Sequence, residues 1–313
     1  MSQREIEAIR HRLSVVENYS GPFSVETARA TWYAYTDGFK TPDGLALRSD
    51  RLGDRKVEWT SRAGVADDRV LLYLHGGGYV CGSPHTHRPI TAEAAKSFTG
   101  LVASLDYRLA PEHPCPAAVE DTIAAVEDLY RRGIKPDQLA LAGESAGGGL
   151  VVAALVALRD RGLALPAAAW LISPWADLTN SGDTVACNAH RDPIVFRDSI
   201  EITARLYLGD RDREDPLASP RHADLRGLPP LLIQVGACEV LVDDAVSLAR
   251  AAGLADVDVT LRIWPRMLHA WHIFAAELEE GRRATSEATE WLARQLDGAP
   301  RSPTPPPSIA PGS

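Results

Sequence analysis

The chain has 313 residues, of which 45% are apolar and 24% charged, and its net charge is −9. That length supports one large domain, or two smaller ones, with a substantial core, and the composition is that of an ordinary soluble globular protein. An acidic balance without a basic stripe excludes nucleic acid and anionic membrane surfaces as expected partners. The first residues, Met1-Ser-Gln-Arg-Glu-Ile-Glu, lack the apolar core of a secretory signal, and no apolar run approaches the roughly 20 residues of a membrane span. The four cysteines, Cys81, Cys115, Cys187 and Cys238, are scattered without a C-x-x-C pair. Reduced thiols in a cytoplasmic protein are therefore expected, rather than a zinc site or a disulfide framework.

In chain order, residues 1–44 read as an N-terminal helical segment. Ile6, Ile9, Leu13 and Val16 recur at helical spacing, and after the Gly21-Pro22 break a second helical stretch covers 25–35, with Trp32, Tyr33 and Tyr35. Residues 45–48 and 56–61 suit short antiparallel strands. Beyond them, apolar and β-branched runs at 70–74, 101–106, 139–142, 168–172, 231–235 and 259–263 suit a parallel sheet buried on both faces. Helical stretches separate them, among them 117–132 ended by Gly133, 146–158, and 243–252 ended by Gly253.

This alternation predicts an α/β fold: a mostly parallel, doubly wound sheet with helices on both faces, spanning 45–297. Residues 179–226 interrupt it with a polar insertion that includes a helical segment at 196–207. Together with the N-terminal helices, this insertion is expected to cover the strand ends as a cap. The proline-rich tail, 298–313, is expected to be disordered.

Residues 143–147 read Gly-Glu-Ser-Ala-Gly, between the 139–142 strand and a helix rich in small residues. A G-x-S-x-G pentapeptide alone is weak. In this setting it describes a sharp strand-to-helix turn that lifts the Ser145 hydroxyl above the sheet, with glycines where a Cβ would collide. A serine hydroxyl is a poor nucleophile until a base takes its proton, so Ser145 needs a histidine, and the histidine an orienting acid. Glu239 follows the strand ending at Val235, and His269 follows the strand ending at Ile263. Nucleophile, acid and histidine therefore stand in order on loops at the carboxyl ends of successive strands, where open α/β sheets place their sites. Asp243 and Asp244 compete for the acid role, but both are better placed to begin a helix as N-terminal anions. His272 competes with His269 but falls in the helix that follows.

Acyl transfer also needs donors for the developing oxyanion. His75-Gly76-Gly77-Gly78-Tyr79 directly follows the 70–74 strand, and its glycines let successive backbone N–H groups point at one oxygen, with the Ala146 N–H completing the hole. Without a following Lys-Ser/Thr helix, the segment is no phosphate loop. His85 and His87 form an H-x-H without accompanying carboxylates or cysteines and read as ordinary loop histidines. Tyr79, Trp175, Trp32, Tyr33 and Tyr35 are candidate walls of the substrate pocket, although aromatics are more often plain core.

With these residues in hand, the chain resembles the hormone-sensitive-lipase-like (bacterial family IV) carboxylesterases of the α/β-hydrolase fold. The resemblance runs from about Val70 to His272. It is carried by HGGGY at 75–79, DYRLAPEHPCPAAVED at 106–121, GESAGGG at 143–149, SPWADLT at 173–179, SP at 219–220, QVGACEVLVDD at 234–244 and WPRMLHAWHIF at 264–274. It implies a triad of Ser145, Glu239 and His269, an oxyanion hole of Gly77, Gly78 and Ala146, and a cap formed in part by the N-terminal helices. It also implies that DYRLAPEHP braces the site without reacting. Positions 144 and 239 are both Glu where many relatives have Asp, and the second departure keeps Asp243 in contention.

The reading is thus a serine carboxylesterase that forms an acyl-enzyme on small-molecule esters of short to medium chain length. It is expected to need no metal and no cofactor, and a homodimer is one compatible assembly. A lactone or amide hydrolase with the same triad is the nearest alternative, and a non-catalytic ligand-binding relative of the same fold the more distant one. The charges in the cap segments, such as Arg4, Glu5, Glu7, Arg10, Arg12, Arg205 and Asp210–Arg213, suit a bounded pocket reached from water, or else simply solvate the outer face.

Overall fold

The computed structural model describes residues 3–17 and 24–298; the tail from 299 onward, the Gly21-Pro22 break and the side chains of Val16 and Tyr35 lie outside what is described. Two N-terminal helices, α1 (Gln3–Glu17) and α2 (Val25–Thr36), precede a hairpin of β1 (Leu45–Leu52) and β2 (Arg55–Arg62). Ser24 caps α2 by accepting from the Thr27 N–H. Strands and helices then alternate: β3 (Val70–Leu74), α3 (Arg88–Ser97), β4 (Leu101–Asp106), α4 (Ala117–Arg131), β5 (Leu139–Glu144), α5 (Ala146–Asp160) and β6 (Ala168–Ile172). After β6 come the short α6 (Thr184–Cys187), α7 (Arg197–Leu208), β7 (Leu231–Gly236), α8 (Val242–Leu254), β8 (Val259–Trp264) and α9 (Glu279–Asp297). No described helix is long and apolar enough to cross a membrane.

The sheet order is β1-β2-β4-β3-β5-β6-β7-β8. β2 pairs antiparallel with both β1 and β4, and every pairing from β4 across to β8 is parallel. The chain steps outward from β3 to β4 and then returns to the other side of β3 as β5. This reversal opens a crevice at the carboxyl ends of β3 and β5, the place where a ligand meets an open α/β sheet.

Strand alternation supplies both faces of the core. Val70, Leu72 and Leu74 join the cluster under α4, α5 and α8, whereas Leu71 and Tyr73 join the one under α3 and α9, which also takes Ile6 and Ile9 of α1. The expectation of double burial fails at β8. As the last strand it is paired only with β7, and it alternates between covered and open positions, leaving Ile263 exposed. The α8 helix also overruns the expected stop: it begins at Val242 and continues through Gly253, where a side chain would meet only open space. Gly253 keeps a helical backbone, and the cost of a glycine inside a helix, about 1 kcal/mol, is too small to end one that packs against β7 and β8.

The β5–α5 turn is governed by steric contact. A Cβ at Gly147 would stand 2.1 Å from the Leu74 carbonyl oxygen, and one at Gly143 would stand 2.2 Å from that of Gly147. The glycines thus let α5 begin directly against the end of β3. Gly147→Ala is expected to destabilise the fold by about 3 kcal/mol, because rigid backbone rather than a movable side chain opposes the methyl. Urea unfolding midpoints compared at unchanged slope would measure it.

Candidate active site

Ser145 sits between β5 and α5 with φ 55° and ψ −121°, a left-handed backbone that a residue other than glycine adopts only when its surroundings impose it. Those surroundings are hydrogen bonds on both sides. The Ser145 N–H donates to the Ile172 carbonyl at 2.8 Å, and the Ser145 carbonyl accepts from Gly148, Gly149 and Trp175. The hydroxyl is thereby presented at the floor of an apolar cavity of about 140 Å³.

His269 lies on the loop after β8, is nearly fully buried, and lines the same cavity. Its Nδ1 is 2.9 Å from Glu239 Oε2. Glu239 is fully buried just past β7; its Oε1 accepts from the Ser173 hydroxyl at 2.7 Å and from the Gly236 N–H. Burial pushes the Glu239 carboxyl upward against the opposing effect of His269. Ser173 also accepts from the Ala270 N–H at 3.2 Å, so one hydroxyl ties the acid loop to the histidine loop.

Neither rival acid approaches His269. Asp243 Oδ2 accepts from the Thr184 N–H at 2.9 Å. Asp244 Oδ2 accepts from the N–H groups of Ala176 and Asp177, both at 2.9 Å, and burial raises its carboxyl to about 7. Both lie in the first turn of α8, as their sequence position indicates, but Asp243 bonds the first residue of α6 and Asp244 the loop after β6, rather than their own helix. His272 lies in the 3₁₀ turn Trp271–Phe274, with its Nε2 2.9 Å from Gln234 Oε1. Burial depresses it to about 3, so it stays neutral.

Gly77 and Gly78 have φ values of 103° and 60°, and a Cβ on Gly77 would meet the Cys81 carbonyl at 2.3 Å. Among the described residues none accepts from the N–H groups of Gly77, Gly78 or Ala146, and all three residues stand at the carboxyl ends of β3 and β5.

The aromatic candidates divide. Trp32 and Trp175 line the cavity, together with Ile194, Val195, Ile200 and Leu241. Tyr79 does not: it is buried and stacked face to face on Tyr207 at 3.6 Å, so it braces the glycine loop from behind. Tyr33 does not either, being 52% exposed and stacked on His85 at 4.5 Å on the outer surface. Helical geometry turns adjacent residues about 100° apart, so Trp32 and Tyr33 cannot both face inward.

His87 is no ordinary loop histidine. It is 2% exposed, and its Nε2 lies 2.9 Å from Glu144 Oε2. No motif singles out this contact, which joins positions 57 residues apart. Nor does sequence reasoning reach Asn188 and Asp192. The Asn188 side chain donates to the Glu239 carbonyl at 2.8 Å, and Asp192 accepts from the Val240 N–H at 3.0 Å. Among the described residues no cluster of three His, Cys, Asp or Glu side chains is placed to hold a metal ion.

Residues 71–273 match the family described as alpha/beta hydrolase fold. An acetyl-hydrolase of Streptomyces hygroscopicus is 48% identical over 241 residues, covering 77% of this chain and 80% of the relative. An esterase of Acinetobacter venetianus is 32% identical over 237 residues, covering 75% of this chain and 78% of its own. A crystal structure of an esterase from the bacterial hormone-sensitive lipase family superposes with a TM-score of 0.91 at 42% identity, covering 95% of this chain and 99% of that one. A strained serine at the switch point of a doubly wound sheet, together with relatives of this similarity and coverage, leads to one conclusion: the chain belongs to the α/β-hydrolase family, in its bacterial hormone-sensitive-lipase branch, and is a carboxylic-ester hydrolase.

Proposed function

We propose that Ser145, His269 and Glu239 are the catalytic triad of this esterase and that the N–H groups of Gly77, Gly78 and Ala146 hold the oxyanion. The observation that carries this reading is the hydrogen bond from His269 to the buried Glu239 at 2.9 Å, beside a serine held in a strained turn and open to the cavity. His269 Nε2 takes the Ser145 proton as Oγ attacks the ester carbonyl carbon. The carbonyl oxygen then carries the negative charge and is held by backbone donors that need no reorganisation. The imidazolium returns its proton to the departing alkoxide, leaving an acyl-enzyme, and a water molecule repeats the sequence to release the acid. Glu239 keeps the proton of the neutral imidazole on Nδ1, so that Nε2 is the basic nitrogen.

The cap of this reading is α1 and α2 together with residues 179–226. Ala28 and Trp32 of α2, and Ile194, Val195, Ser199, Ile200 and Thr203 around α7, form the cavity wall opposite the sheet. Arg10 of α1 donates to the Arg191 carbonyl at 2.8 Å, and Arg29 of α2 donates to the Val80 carbonyl at 2.8 Å, fastening the helices to the insertion and to the glycine loop. Other cap charges pair nearer the surface, as Arg12 does with Glu277 and Arg213 with Glu201.

Short- to medium-chain esters are the substrate class. A cavity of about 140 Å³ is close to the size that accepts a benzene-sized guest, enough for a small acyl group and too small for an extended fatty chain. Across aryl esters from acetate to palmitate, kcat/KM is expected to peak at the short end and to fall by roughly 100-fold or more at palmitate. A maximum at palmitate, or activation at an oil–water interface, would overturn the bounded pocket.

A further inference from the structure

His269 has a second acidic neighbour. Glu144, the residue before the nucleophile, is 5% exposed and directs Oε1 to within 3.5 Å of His269 Nε2, while its Oε2 is held by His87 Nε2 at 2.9 Å. The two carboxylates thus address opposite nitrogens of one imidazole. Among the described residues no hydrogen bond joins the Ser145 hydroxyl to His269 Nε2; Glu144 is the group facing that nitrogen. The place of Glu144 is made by glycine. A Cβ on Gly76 would stand 2.2 Å from Glu144 Oε2.

At 3.5 Å an ionised Glu144 favours, by its charge, a proton on Nε2, the atom that must be free to accept the Ser145 proton. We propose that Glu144 is a positioning residue that competes with the Ser145 hydroxyl for His269 Nε2 and supports the imidazolium that forms once Ser145 has given up its proton. The proposal rests on the triad reading above. It assigns His87 the role of anchoring the other Glu144 oxygen.

The groups around the pair leave few competing charges. Glu239 faces His269 from the loop after β7, and Asp192 from the segment before α7. Tyr73, Tyr107 and Cys81 also face Glu144, but burial raises all three, Cys81 to about 12, so they stay uncharged near neutrality. His75 and His272 are depressed by burial to about 3 and are neutral as well. Burial opposes charge on both Glu144 and His269. Their mutual contact, with those to His87 and Glu239, outweighs it, holding the carboxyl below its usual range and the imidazole above its own.

The sign of the test follows. Deleting the Glu144 charge removes an anion that favours imidazolium, so the base becomes free at lower pH. In Glu144→Gln the acid limb of kcat/KM should move down by about one pH unit or more, with a lowered plateau because the imidazolium has lost a partner. Glu144→Asp, one methylene shorter, keeps the charge for His87 and should shift the limb the same way by less. On the unsubstituted protein, the NMR titration of His269 should show imidazolium persisting above pH 7. An acid limb unmoved in a folded Gln or Asp variant overturns the proposal, as does His269 titrating at or below its ordinary 6.5 in the parent. Organophosphate labelling of each protein separates the two readings. Label on Ser145 with an unmoved limb refutes the Glu144 role alone, whereas label on a different serine in the parent refutes the triad on which it rests.

Discussion

Replacing Ser145 by alanine is expected to lower kcat by about 10⁶-fold, the scale on which removing the nucleophile of a serine hydrolase acts, because histidine, acid and oxyanion donors have no covalent step to assist without it. The fold should survive. The position is already 9% exposed at the cavity floor, and the side chain makes no hydrogen bond among the described residues. What holds the strained turn is backbone: the Ser145 N–H on Ile172 and the Ser145 carbonyl on Gly148, Gly149 and Trp175. An organophosphate should add a single label to the peptide containing Ser145 and abolish turnover. Label on another serine, or full activity in the alanine variant, would reject this residue as the nucleophile.

Glu239→Gln is expected to lower kcat by about 10⁴-fold, because a neutral amide can present its NH₂ to His269 Nδ1, impose the wrong tautomer and withdraw the charge that steadies the imidazolium. The geometry makes the comparison with Asp243 sharp. Glu239 Oε2 stands 2.9 Å from His269 Nδ1, while the Asp243 carboxylate is 2.9 Å from the Thr184 N–H in the insertion. Asp243→Asn should therefore lower stability by about 1 kcal/mol, through the lost charge-assisted bond, and leave kcat within a fewfold of the parent. The reverse ranking of the two variants would move the acid role to Asp243. The carboxylate also holds the Ser173 hydroxyl, so Ser173→Ala should fall between them, loosening both Glu239 and the Ala270 N–H without removing charge.

The sequence by itself determined the fold class and the chain positions of the proposed triad. Apolar runs of strand length separated by helical stretches have few arrangements that bury them all, and the parallel, doubly wound sheet from β4 to β8 is the one adopted. The positions of the proposed triad along the strands could be read because their causes are local. A serine between glycines after a buried strand must turn sharply, and residues that follow a parallel strand must emerge at its carboxyl end. In this way the sequence placed Ser145, Glu239 and His269 at the ends of β5, β7 and β8.

Only the tertiary structure decided what those residues touch. Periodicity reports that a side chain is buried and is silent on its partner, so Trp32 lining the cavity and Tyr33 lying outside it read alike in the sequence. The same holds for Tyr79, an aromatic in the glycine motif that packs on Tyr207 of α7 instead of facing the cavity. The contacts that complete the site join residues far apart in the chain: Glu144 with His87, 57 positions away, and Glu239 with Ser173, 66 positions away. No local rule specifies such pairs. They arise because parallel crossovers bring the loops after β3, β5, β6, β7 and β8 to one edge of the sheet, where each buried polar group must find its partner among the others.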